Sequence, residues 1–470
     1  GIFEVADGKY SKTYRFSDVN YATRTENEQE SFFQKYCKCL NSFDCTFKIT
    51  VNNKNRDMEA LRNEVMLGLR NDGFDEMRES YNRIIEEKIL EGRQGIEQER
   101  YITVTVKRKN FEEAKAQFAT IESTMFKSFA ELGSRLTPLS GNERLRILHD
   151  YYRLGREDEF NFDIKKGRIT GTDFANEICN SSIKYYPNCF EDEGKVGRVL
   201  FIKKYPTYLS DRFFTELTFL PVHSITSVDV VPVPKDLTMK MLQKKYLGIE
   251  SDIIKQQRTR NRNNDFSSDI SYATRQKKRD IEEIMNNVRE NDESLFYVSV
   301  TMIVMAESRK ELNSMCKTIG SIAKGAGCAV DTCMYKQREA VNTTLPIGVR
   351  QIETMRTMLT QSLAVLMPFN VQELCDRDGI YYGVNQISRN IIVGNRKKLL
   401  NGNGFIFGVS GAGKSFQAKM EMGSVLLSTD DNVIAVDPMN EYEDVTEKYN
   451  GTYINISTNT RNYINPMDMD

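Results

Sequence analysis

The chain has 470 residues, of which 40% are hydrophobic and 28% charged, and its 65 basic and 66 acidic side chains leave a net charge of -1. Such a length exceeds what one core organises, so two or three domains are expected, and the balanced charge excludes a uniformly basic, nucleic-acid-coating protein. Nine scattered cysteines without a CxxC pair read as reduced, cytoplasmic thiols, and the only histidines, His149 and His223, lack the spacing of a zinc site.

The start, Gly1-Ile2-Phe3-Glu4-Val5, has no initiating Met, basic flank or apolar run, so it is not read as a signal peptide or as the natural start. Phe47, Ile49 and Val51 alternate with polar residues, the period of a strand with one buried face, and Asn52-Asn53-Lys54-Asn55 is expected to end it. Charged sequence continues to about Arg100, followed by a β-branched strand, Tyr101 to Val106. Asn110 is placed to cap a helix whose apolar face is Phe111, Ala114, Phe118, Ile121, Met125, Phe129 and Leu132, with Gly133 as its stop.

The pattern recurs downstream. Ser224 to Val233 alternates as a strand, Ser294 to Val304 forms another, and Leu312, Met315, Ile319, Ile322 and Ala326 line a helix face that stops at Gly327 before a strand from Cys328 to Met334. Two related α+β subdomains, strand-helix-strand in each, follow as the reading. Between them, Lys255 to Asn264 is basic and free of apolar side chains and reads as an exposed loop rather than a nucleic-acid arm, because interleaved aromatics are absent. Lys277-Lys278-Arg279 opens an amphipathic helix. The longest apolar stretch, Leu295 to Ala306, falls well short of the ~20 residues that cross a bilayer.

Chemistry concentrates near the end. Gly404-Phe405-Ile406-Phe407 reads as a short buried strand entering Gly408-Val409-Ser410-Gly411-Ala412-Gly413-Lys414-Ser415, and Phe416 to Ser428 has helical character. Strand, glycine loop and helix are the context of a P-loop: backbone amides converge on phosphate without a Cβ in the way, and the helix N-terminus adds partial positive charge. Lys414 is suited to the β- and γ-phosphates of ATP and Ser415 to Mg²⁺. Asn432 to Val436 reads as a parallel-sheet strand delivering Asp437-Pro438-Met439-Asn440-Glu441-Tyr442 to the ligand side, with Asp437 a candidate for the Mg²⁺ shell and Glu441 for polarising water. The alternative role for such a carboxylate is to cap the next helix. A further strand, Thr452 to Ile456, is expected, and no second acidic strand end of the Walker B type follows it, so the nucleotide domain is expected to be unfinished at Asp470, binding ATP weakly and hydrolysing none alone.

Together these residues resemble the conjugative-transfer ATPases of bacterial type IV secretion systems, the VirB/CagE/TrbE-type family in its Gram-positive mobile-element version. The resemblance covers nearly the whole chain and rests on Gly1 to Tyr21, Gly383-Val384-Asn385, the P-loop, Asp437-Pro438 with Glu441-Tyr442, and Asn465-Pro466. It implies an N-terminal α+β region (residues 1–210 and 211–370) that docks on membrane components of the apparatus. It also implies the beginning of a RecA-like ATPase domain (residues 371–470), hexamers in the intact protein, and a cytoplasmic position at the inner face of the membrane. Two other functions remain open on the sequence: a DNA-translocating or unwinding ATPase, and a scaffold carrying a nucleotide switch.

Overall fold

The computed structural model describes residues 1–55, 58–91, 96–171, 173–179, 182–206, 208–220, 222–262, 272–376, 378–387, 390–457 and 460. They group into two units, Gly1–Asn55 with Ile96–Gln372, and Arg56–Gly95 with Glu373–Asp470.

The first unit is built on an antiparallel sheet. Its strands are β1 (Ile2–Ala6), β2 (Lys9–Phe16), β3 (Thr46–Asn55), β4 (Ile96–Lys107), β5 (Leu136–Pro138), β6 (Ile183–Tyr185), β7 (Phe190–Asp192), β8 (Lys195–Lys204), β9 (Ser224–Val233), β10 (Leu295–Ala306), β11 (Ala329–Thr332) and β12 (Arg356–Leu359). The helices in chain order are α1 (Glu26–Asn41), α2 (Met58–Val65), α3 (Asp75–Glu91), α4 (Phe111–Glu131), α5 (Gly141–Tyr152), α6 (Ile164–Thr170), α7 (Phe174–Ile178), α8 (Arg212–Thr218), α9 (Lys235–Arg262), α10 (Tyr272–Glu290), α11 (Arg309–Gly325), α12 (Gln337–Thr344), α13 (Thr360–Ala364), α14 (Lys414–Ser428) and α15 (Glu443–Lys448).

The strand order is β1-β2-β4-β3-β9-β10-β8-β7-β6, with β5 on β2, β11 on β8 and β12 on β10. Read outward from the β3–β9 seam, the two directions match: β3, β4, β2, β1 against β9, β10, β8, β7. Each half also has a helix before its seam strand (α1, α8), a helix pair after it (α2–α3, α9–α10), and a helix and short strand that return to the sheet (α4–β5, α11–β11). The two expected subdomains are therefore halves of one sheet. Pairing β3 with β9, from Phe47↔Val230 to Asn53↔Ser224, removes two edges that would otherwise expose unpaired backbone.

Alternation sets the layers. Phe47, Ile49 and Val51 enter the main core with Val104, Val228, Val230 and Val298, against Phe118, Met125 and Phe129 of α4 and Leu312 and Ile319 of α11. Around the seam the opposite sheet face is polar yet buried, while further along it Val199, Ile225, Ile303 and Met305 pack with Val341 and Leu345 in a second apolar cluster. Lys48 faces Asp229 across the seam at 3.0 Å and also donates to Thr343 and Leu345 O, while Thr13 and Thr103 bond Pro346 O and Ser227 bonds Thr344 O. The backbone of 343–349 so becomes a second cover, held at the seam by polar side chains and beside it by Leu345 in the second apolar cluster. Asn110 caps α4 through Glu113 N at 2.9 Å, and Gly133 (φ 77°) and Gly327 (φ 74°) take the left-handed conformation just past α4 and α11.

Several expectations change. Asn52 to Asn55 continue β3 rather than ending it, because Asn53 is satisfied by Thr218 O at 2.7 Å. Residues 255–262 are the last turns of α9, not a loop: Lys, Gln and Arg are good helix formers, and α10 lies alongside. Gly404–Phe407, Asn432–Val436 and Thr452–Ile456, expected as strands, carry no ladder among the described residues. Their side chains stay in solvent, Phe407 86% and Ile434 93% exposed, as apolar strands do where no sheet covers them. Asn465-Pro466 lies outside the described residues.

The second unit adds a hairpin, β13 (Ile380–Val384) with β14 (Ile391–Gly394). Its core joins Leu61 and Val65 of α2 and Ile85 and Ile89 of α3 to Ile391 and Val393 of β14. A segment lying between β3 and β4 in sequence thus supplies much of the packing around the glycine loop's own unit. Among the described residues no helix is long and apolar enough to cross a membrane, and no cysteine is joined in a disulfide.

Candidate phosphate-binding site

The approach to the loop is an exposed extended segment whose first residue, Gly404, is pressed against Arg396; a Cβ there would lie 2.7 Å from the guanidinium. Gly411 (φ 79°) and Gly413 (φ 85°) are both left-handed, the conformation that turns successive amides inward and that a side chain would strain. Ala412 N donates to Val409 O at 3.2 Å, and Gly413, N-cap of α14, passes its carbonyl to Gln417 N at 2.9 Å. Lys414 then curls back over the turn, its ammonium 2.8 Å from both Gly408 O and Val409 O.

This arrangement suits phosphate. The lysine's acceptors are neutral carbonyls in an exposed loop, which phosphate oxygens can replace with charge-assisted bonds. Ser415 and Phe416 lie in the first turn of α14, with Phe416 exposed. The residues Gly408 to Ser415 are hence continuous as a cradle, loop and helix start together.

The acidic candidates lie on a separate turn. Asp437 accepts amide protons from Met439 (3.1 Å), Glu441 (2.6 Å) and Tyr442 (2.9 Å), closing a turn in which Asn440 is left-handed (φ 57°). Burial pushes its carboxyl up, but the amides of Tyr442, Met439, Glu441 and Asn440 outweigh it and hold the group below the usual carboxylate range. Asp437 thus organises the turn ahead of α15, much as a capping residue does. Glu441 is exposed at its end. The Lys419 ammonium stands 5.9 Å from the Tyr442 ring, which sets this turn beside the first half of α14. Among the described residues no hydrogen bond or ion pair joins Lys414 or Ser415 to Asp437 or Glu441.

Sequence reasoning missed the groups that fix α14. Arg396 donates to the Tyr382 hydroxyl (3.1 Å) and pairs with Glu421 (2.8 Å), and Tyr382 also donates to Glu421 (2.9 Å), tying the β13–β14 hairpin to the helix. Only the basic run Arg396-Lys397-Lys398 ahead of the loop hinted at them. At the far end, Arg78 and Arg70 meet the last carbonyls of α14. No group of His, Cys, Asp and Glu among the described residues could hold a metal ion by itself. No protein-family model matches the chain, and no curated protein matches it.

Proposed function

We propose that the chain is the ATP-binding motor subunit of a type IV secretion or conjugative-transfer apparatus. The observation that carries this is the loop itself: two left-handed glycines flank Ala412 and open directly into α14, with Lys414 folded over them. Such a loop recognises a phosphate chain; the transfer apparatus, its membrane components as partners, a hexameric intact protein and a cytoplasmic position at the membrane's inner face are supported by the resemblance described above.

In this reading the amides of Gly411 to Lys414 bind the ATP phosphates, Lys414 neutralises the β- and γ-phosphates, and Ser415 takes a place in the Mg²⁺ shell. Backbone amides already hold the Asp437 carboxylate, so it reaches the ion through water, which Mg²⁺ retains readily. Exposed Glu441 is the candidate for orienting the attacking water. The exposed apolar residues Phe405, Phe407, Ile434 and Val436 fit the interior of a RecA-like sheet. A second reading, a DNA-translocating ATPase, draws on the exposed cations Lys240, Lys244, Lys245 and Arg258 of α9; it requires DNA binding that falls steeply with salt. Replacing Lys414 by Ala in the complete protein, with plasmid transfer as readout, is expected to abolish transfer. Transfer at the wild-type frequency would leave a scaffold and remove the motor.

A further inference from the structure

Helix α14 presents its N-terminus to the phosphate site, and its opposite end leaves carbonyls that no amide of the helix can take. Those carbonyls are met from a segment 349 residues earlier: Arg78 donates Nε to Leu427 O at 3.2 Å. Arg70 donates to Ser428 O and to Asp430, each at 2.8 Å. Arg78 is 1% exposed. Its guanidinium is held by Asp72 at 2.5 and 2.6 Å and by Asp75 at 2.8 Å, so its position along the helix axis is fixed by a fork rather than by one contact. Close by, the Phe74 ring packs on Tyr449 at 5.7 Å, and a Cβ added at Gly423 of α14 would meet the Tyr449 hydroxyl at 2.8 Å.

The two guanidinium groups also sit at the negative end of the helix whose positive end faces the phosphates, so both ends favour the same placement of α14. The segment carrying them continues into strands of the large sheet at either side, β3 ending at Asn55 and β4 starting at Ile96. We propose that Arg78 is a positioning residue for the phosphate site and that α2–α3 is the element through which nucleotide occupancy is felt outside it. Nucleotide at Gly408–Ser415 stiffens α14, Arg78 passes that restraint to α3, and α3 is covalently continuous with the large sheet. Conversely, releasing Arg78 loosens α14 and weakens nucleotide binding. The inference rests on the ATP-binding reading above.

Hydrogen exchange of the unmodified full protein, with and without saturating Mg²⁺–ATP, tests it without any substitution. Slower exchange is expected both in residues 408–416 and in 75–91, and both effects should vanish in Lys414→Ala. Protection of the loop with 75–91 unchanged overturns the proposal while leaving ATP binding intact; no protection of the loop removes the ATP-binding reading and the proposal with it. In parallel, Arg78→Gln should weaken ATP affinity about tenfold, within the usual range of coupling between sites, and Arg78→Lys should recover part of it. Wild-type affinity in Arg78→Gln would contradict the proposal, since a merely structural tie would change melting but not the nucleotide dissociation constant.

Discussion

The helix pairs α2–α3 and α9–α10 come at the same point in chain order, each directly after its seam strand, yet they behave differently. The first buries Leu61, Val65, Ile85 and Ile89 and a complete arginine within the unit of the glycine loop. The second leaves Leu237, Leu247 and Ile254 exposed and keeps most of its cations in solvent; its tie between Lys278 and Glu250, 3.0 Å long, is about one-third exposed on both sides. Equal topology thus does not carry equal role. What separates the pairs is side-chain content: four apolar anchors and a buried cation commit one to a partner surface, whereas lysines at the matching site keep the other solvated.

The largest contrast is expected from apolar burial. Ile85→Ala, at a fully buried position, should cost about 3 kcal/mol, and Leu247→Ala, 63% exposed, should stay within about 0.5 kcal/mol, both read from urea unfolding. Equal costs would dissolve the distinction. By the same measurement, Arg78→Ala removes the guanidinium that Asp72, Asp75 and the Leu427 carbonyl share and should cost about 2 kcal/mol in the second unit, whereas Lys278→Ala should cost under ~0.5 kcal/mol.

Acid should separate the units as well. Burial, with a smaller contribution from Lys195, lowers the His223 pKa from 6.5 to about 4, and neither ring nitrogen has a partner. The unfolded chain therefore takes up this proton first as pH falls. The first unit keeps its full stability above pH 6.5 and loses up to about 3 kcal/mol on the way down to pH 4. Asp72 shifts in the same direction but in a lower window: hydrogen bonding from Arg78 holds the carboxyl below 3.8, so its contribution is intact above that pH and lost only below it. Exchange protection at 224–233 should accordingly fall between pH 6.5 and 4 while that at 75–91 persists, and His223→Leu should abolish the difference. A fourth, smaller effect concerns the loop: Gly413→Ala, placing a Cβ at φ 85°, should cost about 1–2 kcal/mol locally and weaken ATP binding.

Local signals were legible in the sequence. The three- and four-residue steps from Phe111 to Leu132, the Asn110 cap and the stops at Gly133 and Gly327 each act within a few residues, and each is found in the fold. The repeat was visible too, but not its fusion, because nothing in Phe47 or Val230 announces which edge will meet which. Composition misled at 255–262, where polar residues form helix once α10 packs alongside. The left-handed turn ahead of α14 was legible because its glycines are close together in sequence; Arg78 was not, since its acceptor Leu427 is hundreds of residues away and a lone arginine after Asp72 and Asp75 reads as an ordinary solvated helix start.

A motor of the proposed kind requires phosphate recognition by Gly408–Ser415. Competition of ATP, ADP, AMP and adenosine against a fluorescent nucleotide, in wild type and Lys414→Ala, measures it most directly. Affinity should rise with the number of phosphates, depend on Mg²⁺, and fall at least tenfold on loss of the lysine, the order expected when a charge-assisted contact is removed. Adenosine competing as well as ATP, or a Lys414→Ala protein binding ATP as the wild type does, would contradict the phosphate site and with it the motor.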